Sequence, residues 1–213
     1  MKTDELITLL AANATLVQPH AAQRRFLLTL GSAALLLLAV TFQLLGPRAD
    51  MAAAAALPMF WLKLVFPASI AAGALLSLRR LGHPGMGSGR APLAIALILA
   101  LMWAMSVADL LAAPSGQRAS MLFGSSWRFC LGAIAVLSVP ALWLAIWALR
   151  GLAPTRPVFA GAAAGLFAGA CGAFAYAFYC TEMQLPFVGV WYAAGMLTPA
   201  LAGALLGRRF LRW

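Results

Sequence analysis

Acidic side chains are scarce in this chain: five aspartates and glutamates stand against fifteen lysines and arginines in 213 residues. Charged residues make up only 9% of the total while 64% are hydrophobic, and the mean hydropathy is +0.93. A water-soluble domain of this length could not cover so much apolar side chain with polar surface. No stretch between the apolar runs is long enough for a separate soluble domain. His-Glu-x-x-His, Gly-x-Ser-x-Gly, Cys-x-x-Cys and paired carboxylates are all missing. Those gaps argue against a metalloprotease, a serine hydrolase and a dithiol oxidoreductase, and no enzyme is expected. Three cysteines are too few for a disulfide-stapled scaffold.

Six apolar runs fill most of the chain, each close to the ~20 residues an α-helix needs to cross the hydrocarbon. The expected fold is an all-α membrane protein, a six-helix bundle with spans near 26–45, 57–78, 92–113, 129–149, 158–179 and 187–206. Its domain plan is a segment at 1–23 followed by a membrane domain at 24–213. The first span is too long for a signal-peptide core and is expected to be retained. Basic residues mark the orientation. Eleven of them, Lys2, Arg24, Arg25, Arg79, Arg80, Arg90, Arg150, Arg156, Arg208, Arg209 and Arg212, fall on one side of the alternating spans, and Arg48, Lys63, Arg118 and Arg128 on the other. The positive-inside rule then puts both termini in the cytoplasm. The net charge of +10 is spread over helix ends rather than along a stripe that tracks phosphates, so the lipid bilayer is a partner and nucleic acid is not.

Residues 3 to 17 read as an amphipathic helix, with Thr3 as N-cap and Leu6, Ile7, Leu10 and Val17 as apolar contacts. The helix either lies on the inner membrane surface or docks a soluble partner. Lys63 and Asp109 sit at similar depth in spans two and three, where Lys63 can snorkel to the outer surface or pair with Asp109. The glycine-rich stretch Gly82 to Arg90 follows no strand, so it reads as a loop and not a phosphate cradle. Trp61 and Trp127 read as interfacial anchors on one side, as do Trp143, Trp147 and Trp213 on the other. Gly161, Gly165 and Gly169 line one face of span five, a packing face that serves either another helix of this chain or a homo-oligomer. Pro67, Pro140 and Pro199 can break helices, which keeps a small multi-pass transporter or channel as the alternative reading.

The cysteines carry the chemistry. Cys171 and Cys180 are separated by about 13 Å of helical rise, too far for a disulfide within one helix. Cys130 and Cys180 fall at the same side of the bundle and can meet if spans four and five are neighbours. Arg128 favours a thiolate there and Glu182 opposes it. The pair is either a redox or soft-metal switch, or two small packed residues, or a structural disulfide. No resident cofactor is expected. His20 and His83 lie on the inner side, which disfavours a four-ligand zinc site.

Several stretches, taken in order, resemble a known family: Met1-Lys2-Thr3-Asp4-Glu5-Leu6-Ile7, Phe60-Trp61-Leu62-Lys63, Ser126-Trp127-Arg128-Phe129-Cys130, Leu152-Ala153-Pro154-Thr155-Arg156-Pro157, Cys180 with Glu182, and Pro186-Phe187 through Trp191-Tyr192 to the basic tail. The chain resembles the NrsF-type negative regulators of extracytoplasmic-function sigma factors, six-span anti-sigma factors of the bacterial inner membrane. The resemblance implies a stress response in which a sigma factor is sequestered and then released under heavy-metal or oxidative stress. It also implies that Cys130 and Cys180 are the sensing pair, by oxidation or by transient metal ligation, while Cys171 has no such match. Tyr179-Cys180-Thr181-Glu182 departs from the His-Cys-Pro-Glu usual in the family. Without that imidazole, the reading tilts toward thiol oxidation or direct thiolate ligation.

Overall fold

A computed structural model describes residues 21–211 apart from Pro47, Pro84 and Ala153, together with Thr3 and Glu5. Six helices are long and apolar enough to cross a membrane: α1 (Ala21–Leu44), α3 (Pro58–Leu81), α4 (Ala91–Ala112), α6 (Trp127–Arg150), α7 (Pro157–Ala177) and α8 (Leu185–Phe210). Two short helices, α2 (Met51–Ala55) and α5 (Ser115–Phe123), lie in connections at one end. Leu6, Ile7, Leu10 and Val17, the expected docking face, lie outside the described residues, as do Lys2, Arg212 and Trp213.

α7 is the axis of the bundle, packed against α8, α3, α6 and α1. Lipid is as apolar as leucine, so helices associate in it by close van der Waals fit rather than by the hydrophobic effect. The glycine face of α7 supplies that fit within the chain. A methyl group on Gly161 would strike the Gly203 carbonyl, one on Gly165 the Pro199 carbonyl, and one on Gly169 the Pro199 ring at 2.6 Å. Gly203 and Gly207 meet Gly161 from the α8 side. Between the two uses expected for this face, the structure takes the intramolecular one.

Pro67, Pro140 and Pro199 do not break their helices; each sits inside a continuous one. The departure from α-helix is elsewhere, a π-helical turn at Val188–Tyr192 in α8. Such turns leave carbonyls displaced from the α-helical ladder, and in lipid these need internal donors. α4 provides them. Trp103 Nε1 donates to the Gly189 carbonyl at 2.9 Å, and the Ser106 hydroxyl, which also bonds the Met102 carbonyl of its own helix, reaches the Leu185 carbonyl at 3.1 Å.

The buried side chains form two clusters. One runs through Leu30, Leu78, Leu149 and Ala164 toward the end where the arginines gather. The other holds Ile70, Ile134, Tyr176, Phe187 and Tyr192 with Cys130 and Cys180. These are called below the arginine end and the cysteine end.

Candidate functional site

α7 stops at Ala177, earlier than hydropathy suggests, and Cys180 to Gln184 run on without regular structure. A helix C-terminus exposes unpaired carbonyls and partial negative charge. The loop that follows adds carbonyls of its own, and Lys63 of α3 answers these. Its Nζ donates to the Cys180 carbonyl at 2.6 Å and to the Glu182 carbonyl at 2.8 Å, and stands 5.7 Å from the centroid of the Tyr192 ring. Lys63 is 0% exposed, so this lysine does not snorkel; the end of α7 satisfies its ammonium inside the protein. Arg48 follows the same logic from the first connection. Its backbone N–H donates to the Phe178 carbonyl at 3.3 Å, and its guanidinium reaches the Cys180 carbonyl at 3.5 Å and grips Asp50 through two bonds of 2.6 Å. The bond to Asp50 pushes the Arg48 pKa up against the cost of burial, and holds the Asp50 carboxyl below its usual range.

Glu182 ties a third connection to the same place. Its carboxylate accepts from the Ser125 amide at 2.8 Å, the Ser125 hydroxyl at 2.7 Å and the Ser126 hydroxyl at 3.3 Å. Partial burial raises its pKa, but those donors outweigh burial and hold it below the ordinary value. Gly124 has φ 52°, and a side chain there would meet the Glu182 carboxylate within 2.8 to 2.9 Å. Glycine is required at this turn on both counts. Around it, Trp127 and Trp191 stack at 4.6 Å with Phe123 against both, and Trp191 Nε1 donates to the Leu122 carbonyl at 2.8 Å.

Within this frame lie the thiols. Cys130, three residues into α6, is 0% exposed, and Cys180 is 2% exposed. Both are free, and both belong to the same buried cluster. The Tyr176 and Tyr192 hydroxyls act electrostatically on both sulfurs, as does the Lys63 ammonium. The Tyr192 hydroxyl is fully buried beside the Cys180 thiol. Cys171 belongs elsewhere, half-buried against the cluster of the arginine end.

Several expectations are corrected here. Lys63 and Asp109 form no ion pair; among the described residues the ion pair is Arg48 with Asp50, and Asp109 is half-buried near the end of α4. The Cys180 and Glu182 carbonyls capture the ammonium because they converge on it from one loop, just after α7. Arg128 is exposed, with its guanidinium 5.0 Å over the Trp127 ring, and the cations beside the thiols are Lys63 and, at Cys180, Arg48. Trp127 is a packed member of the aromatic cluster as well as an end residue. Among the described residues no three histidine, cysteine or acidic side chains gather as metal ligands.

The geometry defines a multi-span helical protein in which two buried thiols share one polar node with three connecting segments. The family model described as "NrsF: Negative regulator of sigma F" matches residues 10–213, and the chain belongs to that family. It is 44% identical over 217 residues to a protein named probable anti-sigma-F factor NrsF from Azospira oryzae, with the whole of both chains covered. It is 39% identical over 215 residues to the anti-sigma-F factor NrsF of Caulobacter vibrioides, again over both whole chains. No solved structure matches.

Proposed function

We propose that this chain is a membrane-bound anti-sigma factor that sequesters an extracytoplasmic-function sigma factor and releases it when Cys130 and Cys180 are oxidised or ligate a heavy metal. The observation that carries the reading is similarity over the full length to two proteins named as anti-sigma-F factors. The excess of arginine at one end supports a bacterial inner membrane with that end and both termini in the cytoplasm. Residues 1–23, through Leu6, Ile7, Leu10 and Val17, dock the sigma factor from there. The polar node supports the sensing role. A change at the thiols alters the loop whose carbonyls Lys63 holds, and Lys63 lies on α3, which crosses the bundle to Arg79 and Arg80. Release is then a shift between two packings of the bundle rather than a chemical signal passed through it.

Co-purification tests the docking step. The full chain should retain the sigma factor and a chain lacking residues 1–17 should lose it; equal recovery would contradict the docking segment. Loss of the whole chain should raise sigma-dependent transcription. Unchanged transcription would contradict the anti-sigma reading itself.

A further inference from the structure

Where α1 begins and α6 ends, the arginine end holds a cavity of about 510 Å³ whose walls include Arg25, Phe26, Thr29, Trp147 and Arg150. Its floor belongs to the core, since Phe26 is buried. Its rim is cationic. Both arginines are exposed, and none of the described acidic side chains lines the cavity; Asp50, Asp109 and Glu182 all lie at the cysteine end. Arg150 is held in position from α8. Its Nε donates to the Phe210 carbonyl at 3.2 Å and its guanidinium stands 5.3 Å from the centroid of the Phe210 ring, so both Nη groups keep their donors. Among the described residues the Arg25 guanidinium has no hydrogen-bonding or ionic partner. Two planar guanidiniums on one recess, neither neutralised by a carboxylate, suit a phosphate.

A second observation says what carries the phosphate. Trp147 and Arg150 also border a narrow groove on the α8 side of α6, completed by Trp143, Ile146, Leu206 and Phe210. Apart from Arg150 that groove is lined by apolar and aromatic side chains, and it runs back from the end of the bundle, because Trp143 lies about 6 Å of helical rise before Trp147. Trp143 and Trp147 are 65% and 63% exposed on the face that meets lipid, and tryptophan at such a level marks the border between headgroups and hydrocarbon. A cationic recess joined to an apolar groove offers the two chemistries of an amphiphile in the order a bilayer presents them.

We infer that this place binds an anionic phospholipid from the leaflet at the arginine end, its phosphate between Arg25 and Arg150 and one acyl chain along Trp143, Leu206 and Phe210. The headgroup is of the phosphatidylglycerol class, a phosphate without an ammonium, since a zwitterionic headgroup brings a cation to a site that has no carboxylate to receive it. The site is separate from the thiols and does not rest on the sensing role given to them above.

Native mass spectrometry of the full chain in detergent tests it, by titration with dioleoylphosphatidylglycerol or dioleoylphosphatidylcholine. The first should bind about tenfold more tightly, the scale of one charged hydrogen bond; equal affinities would overturn the anionic headgroup. Arg25→Gln should remove most of that preference, and an unchanged preference would overturn the place given to the phosphate. This side chain is exposed and without a partner among the described residues, so the fold does not depend on it. Arg208→Gln combined with Arg209→Gln takes more charge from the same end without touching the cavity or the groove, and should keep the preference. An equal loss in that double variant would show general attraction to a basic surface and overturn the site. Glycerophosphoglycerol, the same headgroup without acyl chains, should not displace the lipid at equal concentration. Displacement would mean that the groove adds nothing and that the recess takes soluble phosphates, which overturns the lipid as occupant.

Discussion

The two ends of this bundle are built on different terms. At the cysteine end, connections between three pairs of spans are knotted: the buried Lys63 and the half-buried Glu182 make bonds of 2.6 to 2.8 Å, and Arg48 adds longer ones of 3.3 and 3.5 Å to the Phe178 and Cys180 carbonyls. At the arginine end the charges Arg24, Arg80, Arg90, Arg156, Arg208 and Arg209 are exposed. One cross-connection there is modest, from Arg150 Nε to the Phe210 carbonyl at 3.2 Å. A charge placed in water costs little and holds little, whereas a charge placed among carbonyls in a low dielectric constrains everything around it. The difference separates a stiff end suited to registering a chemical event from an end with charge free to meet lipid or a partner.

The largest effect expected from breaking that contrast comes from Lys63→Ala, which orphans two carbonyls in lipid surroundings. It should cost about 3 kcal/mol, the scale of two charged hydrogen bonds lost from a buried site, and is read as a lowered denaturation midpoint of the purified protein in detergent. Gly165→Leu attacks the seam shared by both ends by forcing α7 off the Pro199 carbonyl, at a cost of about 2 kcal/mol in the same measurement. Glu182→Ala comes next, at about 1 kcal/mol, because water reaches its carboxylate. Glu182 also sets a pH dependence. Its folded pKa lies below the ordinary 4.5, so its contribution is complete above 4.5 and is lost as the pH falls below that value. The wild-type midpoint should therefore fall more steeply on acidification below 4.5 than that of Glu182→Gln. Smallest of all is Arg208→Gln at the arginine end, expected to change stability by less than about 0.5 kcal/mol. A cost there comparable to that of Lys63→Ala would erase the contrast between the ends.

The sequence makes one part of this legible and hides another for identifiable reasons. Apolar runs and arginine positions show the six spans, since length and composition decide what can cross hydrocarbon. The spacing of Gly161, Gly165 and Gly169 shows a packing face, because four residues return to nearly the same side of a helix. The partners of Lys63 are backbone carbonyls, which every residue carries, so no pattern of side chains could point to them, and Asp109 was the visible but unused alternative. Arg128 is two residues from Cys130, but helical geometry turns neighbours so close in sequence to different faces. The prolines misled because a helix lodged among neighbours tolerates proline; at Pro199 the facing Gly165 and Gly169 make room for its carbonyl and ring. The π-helical turn has only Gly189 as a trace, a residue whose missing side chain lets Ser106 approach. The pairing of Cys130 with Cys180 at one end was legible from alternation of the spans; their burial was not.

The most direct test of the account is sigma-dependent transcription in cells carrying the full chain with both Cys130→Ser and Cys180→Ser, measured before and after oxidant or heavy metal. The account predicts that repression survives, because serine keeps the packing and Lys63 still holds the loop, and that induction disappears. Induction of normal size in that double variant would contradict the cysteine end as the place where the signal enters.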